Sequence, residues 1–323
     1  MKQSKRVRLG VLMMICALAT LANAAVEGSF ERSLLVSGPV DLNVETGSGD
    51  ITVQTGPGNV VKVNAHIRAS GWLSDQEARV RKIEANPPIE QNGNTIRVGH
   101  LHDLQLGRNI SINYLIVVPA ATHLISNTGS GDMKIEGIQG PLEGNSGSGN
   151  VTISSIGSDV EVETGSGDIR LENLKGNARA HAGSGGIIAT GIAGAFDGGS
   201  GSGDIRLEQT AAGAVRVATG SGNLELQRVQ GALSAKTGSG EIQVDGVPSG
   251  EWRLRAGSGN ILLRVPHEAA FDLDASTNSG TISLNDHPVT VQGTIGRHEV
   301  RGKVHGGGNL LEVRTGSGDV EIK

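Results

Sequence analysis

Thr164-Gly165-Ser166-Gly167-Asp168-Ile169-Arg170-Leu171-Glu172-Asn173-Leu174-Lys175-Gly176-Asn177-Ala178-Arg179-Ala180-His181 is one copy of a unit that this chain repeats end to end. Its Gly-Ser-Gly tripeptide recurs at Gly129, Gly147, Gly165, Gly183, Gly201, Gly220, Gly238 and Gly257, always 18 or 19 residues apart. A fixed period of this size marks stacked structural units. A flexible Gly-Ser linker would not keep step with hydrophobic positions. After each tripeptide apolar and polar residues alternate, as in Val151 and Ile153, Ile169 and Leu171, Ile205 and Leu207, Leu224 and Leu226, Ile242 and Val244. Another apolar residue follows three positions later (Ile156, Leu174, Val229, Val247), and after a turn the alternation resumes with Val160 and Val162, Ala178 and Ala180, Val215 and Val217. Period-two alternation denotes a strand with one buried face. Each unit therefore holds two short strands and two turns.

Two geometries could close an 18-residue coil. A three-sided helix needs an apolar residue every six positions, but six and twelve residues beyond Ile169 stand Lys175 and His181. A flattened coil of two halves fits, giving an all-β fold: a parallel two-sheet β-solenoid with successive coils about 4.8 Å apart. Small aliphatic columns then form the core, which suits a chain with only six aromatics and 50 glycines among 323 residues. Collagen is excluded because glycine does not recur at every third position. At the corners, glycine tolerates positive φ or backbone crowding. The next residue runs Asp132, Asn150, Asp168, Gly186, Asp204, Asn223, Glu241, Asn260. Asp and Asn bond nearby backbone N–H groups in turns, and the interleaved neutral residues relieve repulsion between coils. Calcium β-rolls also use 18-residue coils, yet this list never places two carboxylates on neighbouring coils, where calcium wants six to eight oxygens.

The first part of the chain, residues 25–128, is less regular than the array at 129–323. Leu34–Val53 and Val60–Ile67 read as strands. Ser74 and Glu77 have capping-box spacing, so one short helix is expected over Ser74–Ala85, with Ala78, Val80 and Ile83 inward, covering an open coil end. Tripeptide copies outside the regular spacing occur at Gly47 and Gly316, with a degenerate one at Asn278. Asn278–His305 lengthens one coil and gathers His287, Arg297, His298, Arg301, Lys303 and His305 beside Asp286 and Glu299. This group is the candidate binding site for an acidic ligand, and a solvated loop or hairpin is the simpler account of it.

Residues 1–24 read as a secretory signal: Lys2, Lys5, Arg6 and Arg8, an apolar run over Leu9–Leu21, then Ala22-Asn23-Ala24. Cleavage there would remove Cys16, the only cysteine, and leave 24 basic against 33 acidic residues, a net charge of −9. Such a charge disfavours nucleic acid or anionic lipid as partner. An exported protein is expected, periplasmic in a two-membrane bacterium, with secretion or the cell surface as alternatives.

The copies Thr46–Ile51, Thr164–Ile169 and Thr315–Val320, with Val117-Val118-Pro119-Ala120 leading into Asn127–Ile135, resemble the bacterial β-strand-repeat domains grouped under an adhesin label, a domain family of unknown function. The likeness spans about residues 30 to 323. It implies architecture and no catalytic residues.

The sequence after residue 24 contains no phosphate loop, H-E-x-x-H, C-x-x-C or G-x-S-x-G. His100 and His102 could form half of a zinc site, but no third ligand is evident. The outward pairs Glu161 with Glu163 and Asp272 with Asp274 are expected for solubility alone. Phe196, Trp252 and Phe271 fall on inward positions, leaving few aromatics for stacking on sugars. The expectation is a non-catalytic, monomeric, structural or adhesive binding module of the cell envelope. It would use neither cofactor nor metal, and its partner would be an extended polymer such as a glycan, or an envelope protein. The alternatives are a carbohydrate-active enzyme with its site near residues 278–305 and an accessory protein of an envelope-stress system.

Overall fold

The computed structural model describes residues 26–70, 75–101, 103, 105–285 and 289–323; the signal segment, Ser74, His102, Asp286 and His287 lie outside them. Two face-to-face sheets of 14 and 15 strands run the length of the molecule. Between Met133 and Arg264 all pairings are parallel and join each strand to the strand one coil away, so period-18 residues stack. In the first sheet Ile169, Ile187, Ile205 and Leu224 form one interior line. In the second, Val160, Ala178, Phe196, Val215, Leu233 and Trp252 form another. All of these are buried, as is Phe271. Each Ile or Leu so buried contributes about 1.5–3 kcal/mol, and the columns need no bulky residue because neighbouring coils approach as closely as paired strands do.

One inward position departs from the repeat. Val247 is 42% exposed. Between Val244 and the next inward position its strand is one residue shorter than the preceding coil, so Gly246 pairs with Val229 and Val247 swings outward.

The polar corner residues form two ladders. At the inner corner Thr128 and Thr164 donate their hydroxyls to Gly49 and Gly149 carbonyls of the preceding coil and accept N–H bonds from Gly131 and Gly167. Outside them runs an Asx ladder in which each side-chain oxygen accepts the N–H of the equivalent residue one coil on. It passes Asp50, Asp132, Asn150, Asp168 and Gly186 at 2.8–3.0 Å. It resumes from Asp204 to Asn223 and Glu241. The Asp and Asn residues of the repeat are thus structural acceptors. Gly186 interrupts the ladder, and a Cβ there would meet nothing closer than 3.4 Å. Gly186→Asn should supply the missing acceptor for the Asp204 N–H and raise stability by about 0.5–1.5 kcal/mol. A lower urea midpoint in the variant would refute this. In the tripeptide corners from Gly129 to Gly240, close approach rather than positive φ demands the glycines. Left-handed backbone sits instead at the opposite turn, at Gly137, Ser155, Asn173, Gly191 and Arg228.

Both ends depart from simple stacking. The coil Val40–Thr46/Ile51–Thr55 lies between the coil beginning at Thr122 and the later strands Thr95–Val98 and Ile110–Val118. At the other end Asn309–Ser317 and Val320–Ile322 insert between the Trp252 coil and the Phe271–Ser279/Ile282–Leu284 coil. The outlying tripeptides at Gly47 and Gly316 therefore complete one continuous column, Gly129 resting on Gly47 and Gly316 on Gly257. Antiparallel strands finish each end: Val26–Leu35 with Val60–Ala69, and Glu299–Val304 with Phe271–Ser279.

The helix spans Gln76–Ala85, with Asp75 at its N-cap making no side-chain cap bond. It packs on the strands Val26–Leu35 and Val60–Ala69. Its buried stripe is Gln76, Arg79, Val80 and Ile83. Ala78, expected inward, is exposed because it points away from the stripe defined by Val80 and Ile83. Gly28 makes room for the contact, since a Cβ there would lie 2.4 Å from Val80 Cγ1.

Candidate functional site

The turn preceding each strand of the second sheet recurs once per coil, so whatever stands there forms a line along the solenoid axis. From Pro141 through Asp159, Asn177, Ala195, Ala214 and Ala232 to Glu251 these turns line a groove of ≈ 660 Å³. Six steps of about 4.8 Å make it about 29 Å long. Its other wall is the first outward side chain of each strand: Glu143, Glu161, Arg179, Asp197, Arg216, Ser234 and Arg253. Three consecutive alanines widen the middle. The Asx ladder on this side ends at Ala195, whose N–H donates to Asn177 Oδ1 at 3.0 Å.

Ion pairs occupy both ends of the groove and leave its centre open. Arg179 Nη1 meets Glu161 at 3.2 Å, and Arg253 meets Glu251 at 2.6 Å. Arg216 makes no ion pair among the described residues and faces the widened stretch, with Asp197 in register on the neighbouring strand. Beyond the groove, Glu312 is nearly buried among Arg253, Arg255 and Arg314, at 3.6, 3.1 and 2.6 Å. Arg314 and Arg301 then reach Asp274 at 3.9 and 3.3 Å. This arrangement suits hydrogen bonding and charge pairing with an extended polar chain.

His287 lies outside the described residues, and the other residues expected from sequence to form a site do not converge. Arg297 and His298 occupy the exposed turn of the terminal hairpin. Their carbonyls accept the N–H groups of Ile282 and Thr277. Arg301 is engaged by Asp274 and Glu299. Lys303 lies one outward position further, in register with Asp272. His305 is at the opposite end of that strand, stacked on His267 at 5.8 Å between ring centroids. Six strand residues separate the two ends, about 20 Å. Of the outward acidic pairs, Glu161 and Asp274 are held by arginines, while Asp272 Oδ1 accepts the Gly308 N–H at 3.2 Å. Among the described residues no group of three or more His, Cys, Asp or Glu is placed to hold a metal ion. His100 Nδ1 lies 2.5 Å from Glu45 instead.

The alanine-lined groove is absent from the expectations drawn on the sequence, though its signal is there. The residue before the second strand shrinks to alanine in three successive coils. Glu312, in contrast, reaches the arginine rows only because the last coil is intercalated.

Solved structures that the chain is similar to include a candidate adhesin from Bacteroides fragilis NCTC 9343, at 14% identity over 92% of this chain and 97% of that one, with TM-score 0.33. A candidate lipid binding protein from Parabacteroides distasonis ATCC 8503 matches at 15% identity over 91% and 96%, TM-score 0.40. A candidate adhesin from Parabacteroides merdae ATCC 43184 matches at 10% identity over 91% and 96%, TM-score 0.36. A comparison with curated proteins finds no match. The Toastrack DUF4097 family model matches residues 27–195 and again residues 193–323. Two successive matches thus run through a single stack of coils, and the chain belongs to the Toastrack DUF4097 family.

Proposed function

We propose that this protein is an exported, non-catalytic binding module of the bacterial cell envelope, periplasmic and monomeric, which holds an extended polar polymer along the axial groove. The observation that carries the reading is the groove itself: seven coils of uninterrupted wall, widened at Ala195, Ala214 and Ala232 beside the unpaired Arg216. A repeating surface suits a repeating ligand, because each rung offers the same spacing to the next residue of a polymer. The carboxylates along the wall support binding rather than acid–base chemistry. Glu161 and Glu251 are committed to arginines, and catalysis by a carboxyl pair needs a desolvated cleft that splits their pKa values.

The test is co-sedimentation of the protein from residue 25 onward with isolated peptidoglycan sacculi, together with titration by soluble envelope polysaccharide. Ala214 is exposed, so Ala214→Trp should fold normally while filling the groove, and retention should fall at least tenfold. Equal retention of variant and wild type would move the binding elsewhere. Absence of retention on every glycan fraction would remove the polymer from the proposal.

A further inference from the structure

In the second sheet the second outward position of three successive strands carries a cation. Lys236 lies in register with Arg255, and Arg255 with Arg314. All three side chains are exposed, and the rungs set them about 4.8 Å apart along the coil axis. Elsewhere the paired strands avoid such a row. Arg179 stands between Glu161 and Asp197, Arg206 faces Glu225, and Arg253 faces Glu312. Among the described residues no other row places three cations on successive strands. Like charges directly opposite one another destabilise a sheet.

One carboxylate holds the row in place. Glu312, its side chain only 9% exposed, meets Arg255 and Arg314 at 3.1 and 2.6 Å and Arg253 at 3.6 Å. Arg253 also pairs with Glu251, and Arg314 lies 3.9 Å from Asp274. Each of the three arginines remains half exposed. A guanidinium carries five N–H donors, so these carboxylates leave donors over. Lys236 makes no ion pair among the described residues. On the far side of the row each rung continues into an exposed corner serine, Ser239, Ser258 or Ser317. The ladder carboxylates Glu241 and Asp319 stand past that corner, beside Asn260 and Thr281. Lys236, Arg255 and Arg314 do not line the alanine-widened groove; of this cluster only Arg253 and Glu251 reach it.

A cation row that works against its own sheet fits a ligand that brings the missing negative charge, since local rules are broken where function requires it. The spacing of the row selects the ligand. A sugar residue of an extended glycan advances about as far as one rung, so a polymer with a carboxylate on every sugar meets one cation per coil. An extended acidic peptide presents carboxylates on one face about 6.8 Å apart and falls out of step. We propose that Lys236, Arg255 and Arg314 bind an acidic polysaccharide of the polyuronate class, laid along the coil axis with successive carboxylates on successive cations. The site does not depend on the groove's function. Calorimetric titration of the protein from residue 25 onward with polygalacturonate should show binding that added salt weakens. Neutral dextran should not bind, and polyglutamate of matched charge should bind at least fivefold more weakly. Lys236→Glu turns the repelling pair with Arg255 into an attracting one. It should therefore retain the wild-type circular dichroism, keep or raise the thermal midpoint, and weaken polygalacturonate binding at least tenfold. Ala214→Trp, which fills the groove, should leave that binding unchanged, so the two readings fail separately. No binding of polygalacturonate, equal binding of dextran or polyglutamate, equal binding by Lys236→Glu, or loss in Ala214→Trp would each overturn the proposal.

Discussion

Alanine at position 167 is expected to abolish the folded array under conditions where the wild type is stable, a loss of about 4 kcal/mol or more. The added Cβ would lie 2.0 Å from the Gly149 carbonyl oxygen and 2.4 Å from its carbon, whereas real Cβ atoms essentially never approach within 3.0 Å. The obstacle is backbone on the neighbouring coil, so no rotamer change relieves it. The coils would have to separate, and their spacing is set by hydrogen bonds in both sheets at once. The same approach recurs at Gly149 and Gly185, 1.8 and 1.9 Å from the carbonyl oxygens of Gly131 and Gly167. Gly47→Ala is the matched control. It is the first glycine of the tripeptide copy at 47–49, and a Cβ there meets nothing within 4 Å, so its effect should stay within about 0.5 kcal/mol. Urea unfolding followed by far-UV circular dichroism reads both variants. Comparable midpoints would mean that interlocking of the coil corners does not hold the stack.

Deleting residues 309–323 should do more than shorten the solenoid by one rung. The deleted strands pair on one side with the Trp252 coil and on the other with the Phe271 coil. Their loss leaves the whole segment from Phe271 to His305 without its attachment to the array. Leu311, Val313, Val320 and Ile322 are fully buried. At about 1.5–3 kcal/mol each, their burial is comparable to the entire stability of a typical domain, about 5–15 kcal/mol. The truncated protein should be cleaved rapidly by protease within residues 266–308 while the array from Gly129 to Val265 resists longer. Uniform resistance up to residue 308 would show that the Phe271 coil docks onto the Trp252 coil directly, and the intercalated order would then be dispensable.

A milder contribution comes from the end of the Asx ladder. Thr281 donates its backbone N–H and its hydroxyl to Asp319 Oδ1 at 2.7 and 2.9 Å. These bonds hold the Asp319 carboxyl below the ordinary aspartate range. A carboxyl depressed in the folded state stabilises it above the unfolded pKa, and that contribution fades as pH falls through the folded value. The group is fully exposed, so solvent keeps the effect small.

Much of the architecture was legible along the chain because its cause is local. Alternation in Ile169-Arg170-Leu171 states which side of a strand is buried, and the 18-residue return states which residues stack. Asp168 and Asn150 were readable as backbone acceptors, though not that the N–H they accept belongs to the next coil. The exception at Val247 follows from a one-residue shortening that alternation does not register until strands are paired. The candidate site was less visible. A charge-rich segment such as Arg297–His305 is conspicuous in sequence, but a hairpin spreads its ends apart. The groove is made of small residues whose meaning appears only when they align.

The sequence by itself determined the coil, its two sheets and the inward columns, since each depends on contacts between a residue and its own period. Only the tertiary structure decided the order in which the end coils stack and the placement of Glu312 among arginines. It also decided that Gly47 has free space where Gly167 has none. Near-identical rungs can pair with one another in several orders. The choice among them rests on how the last strands, the helix and the long link fill the two open ends, a packing problem that no single period contains.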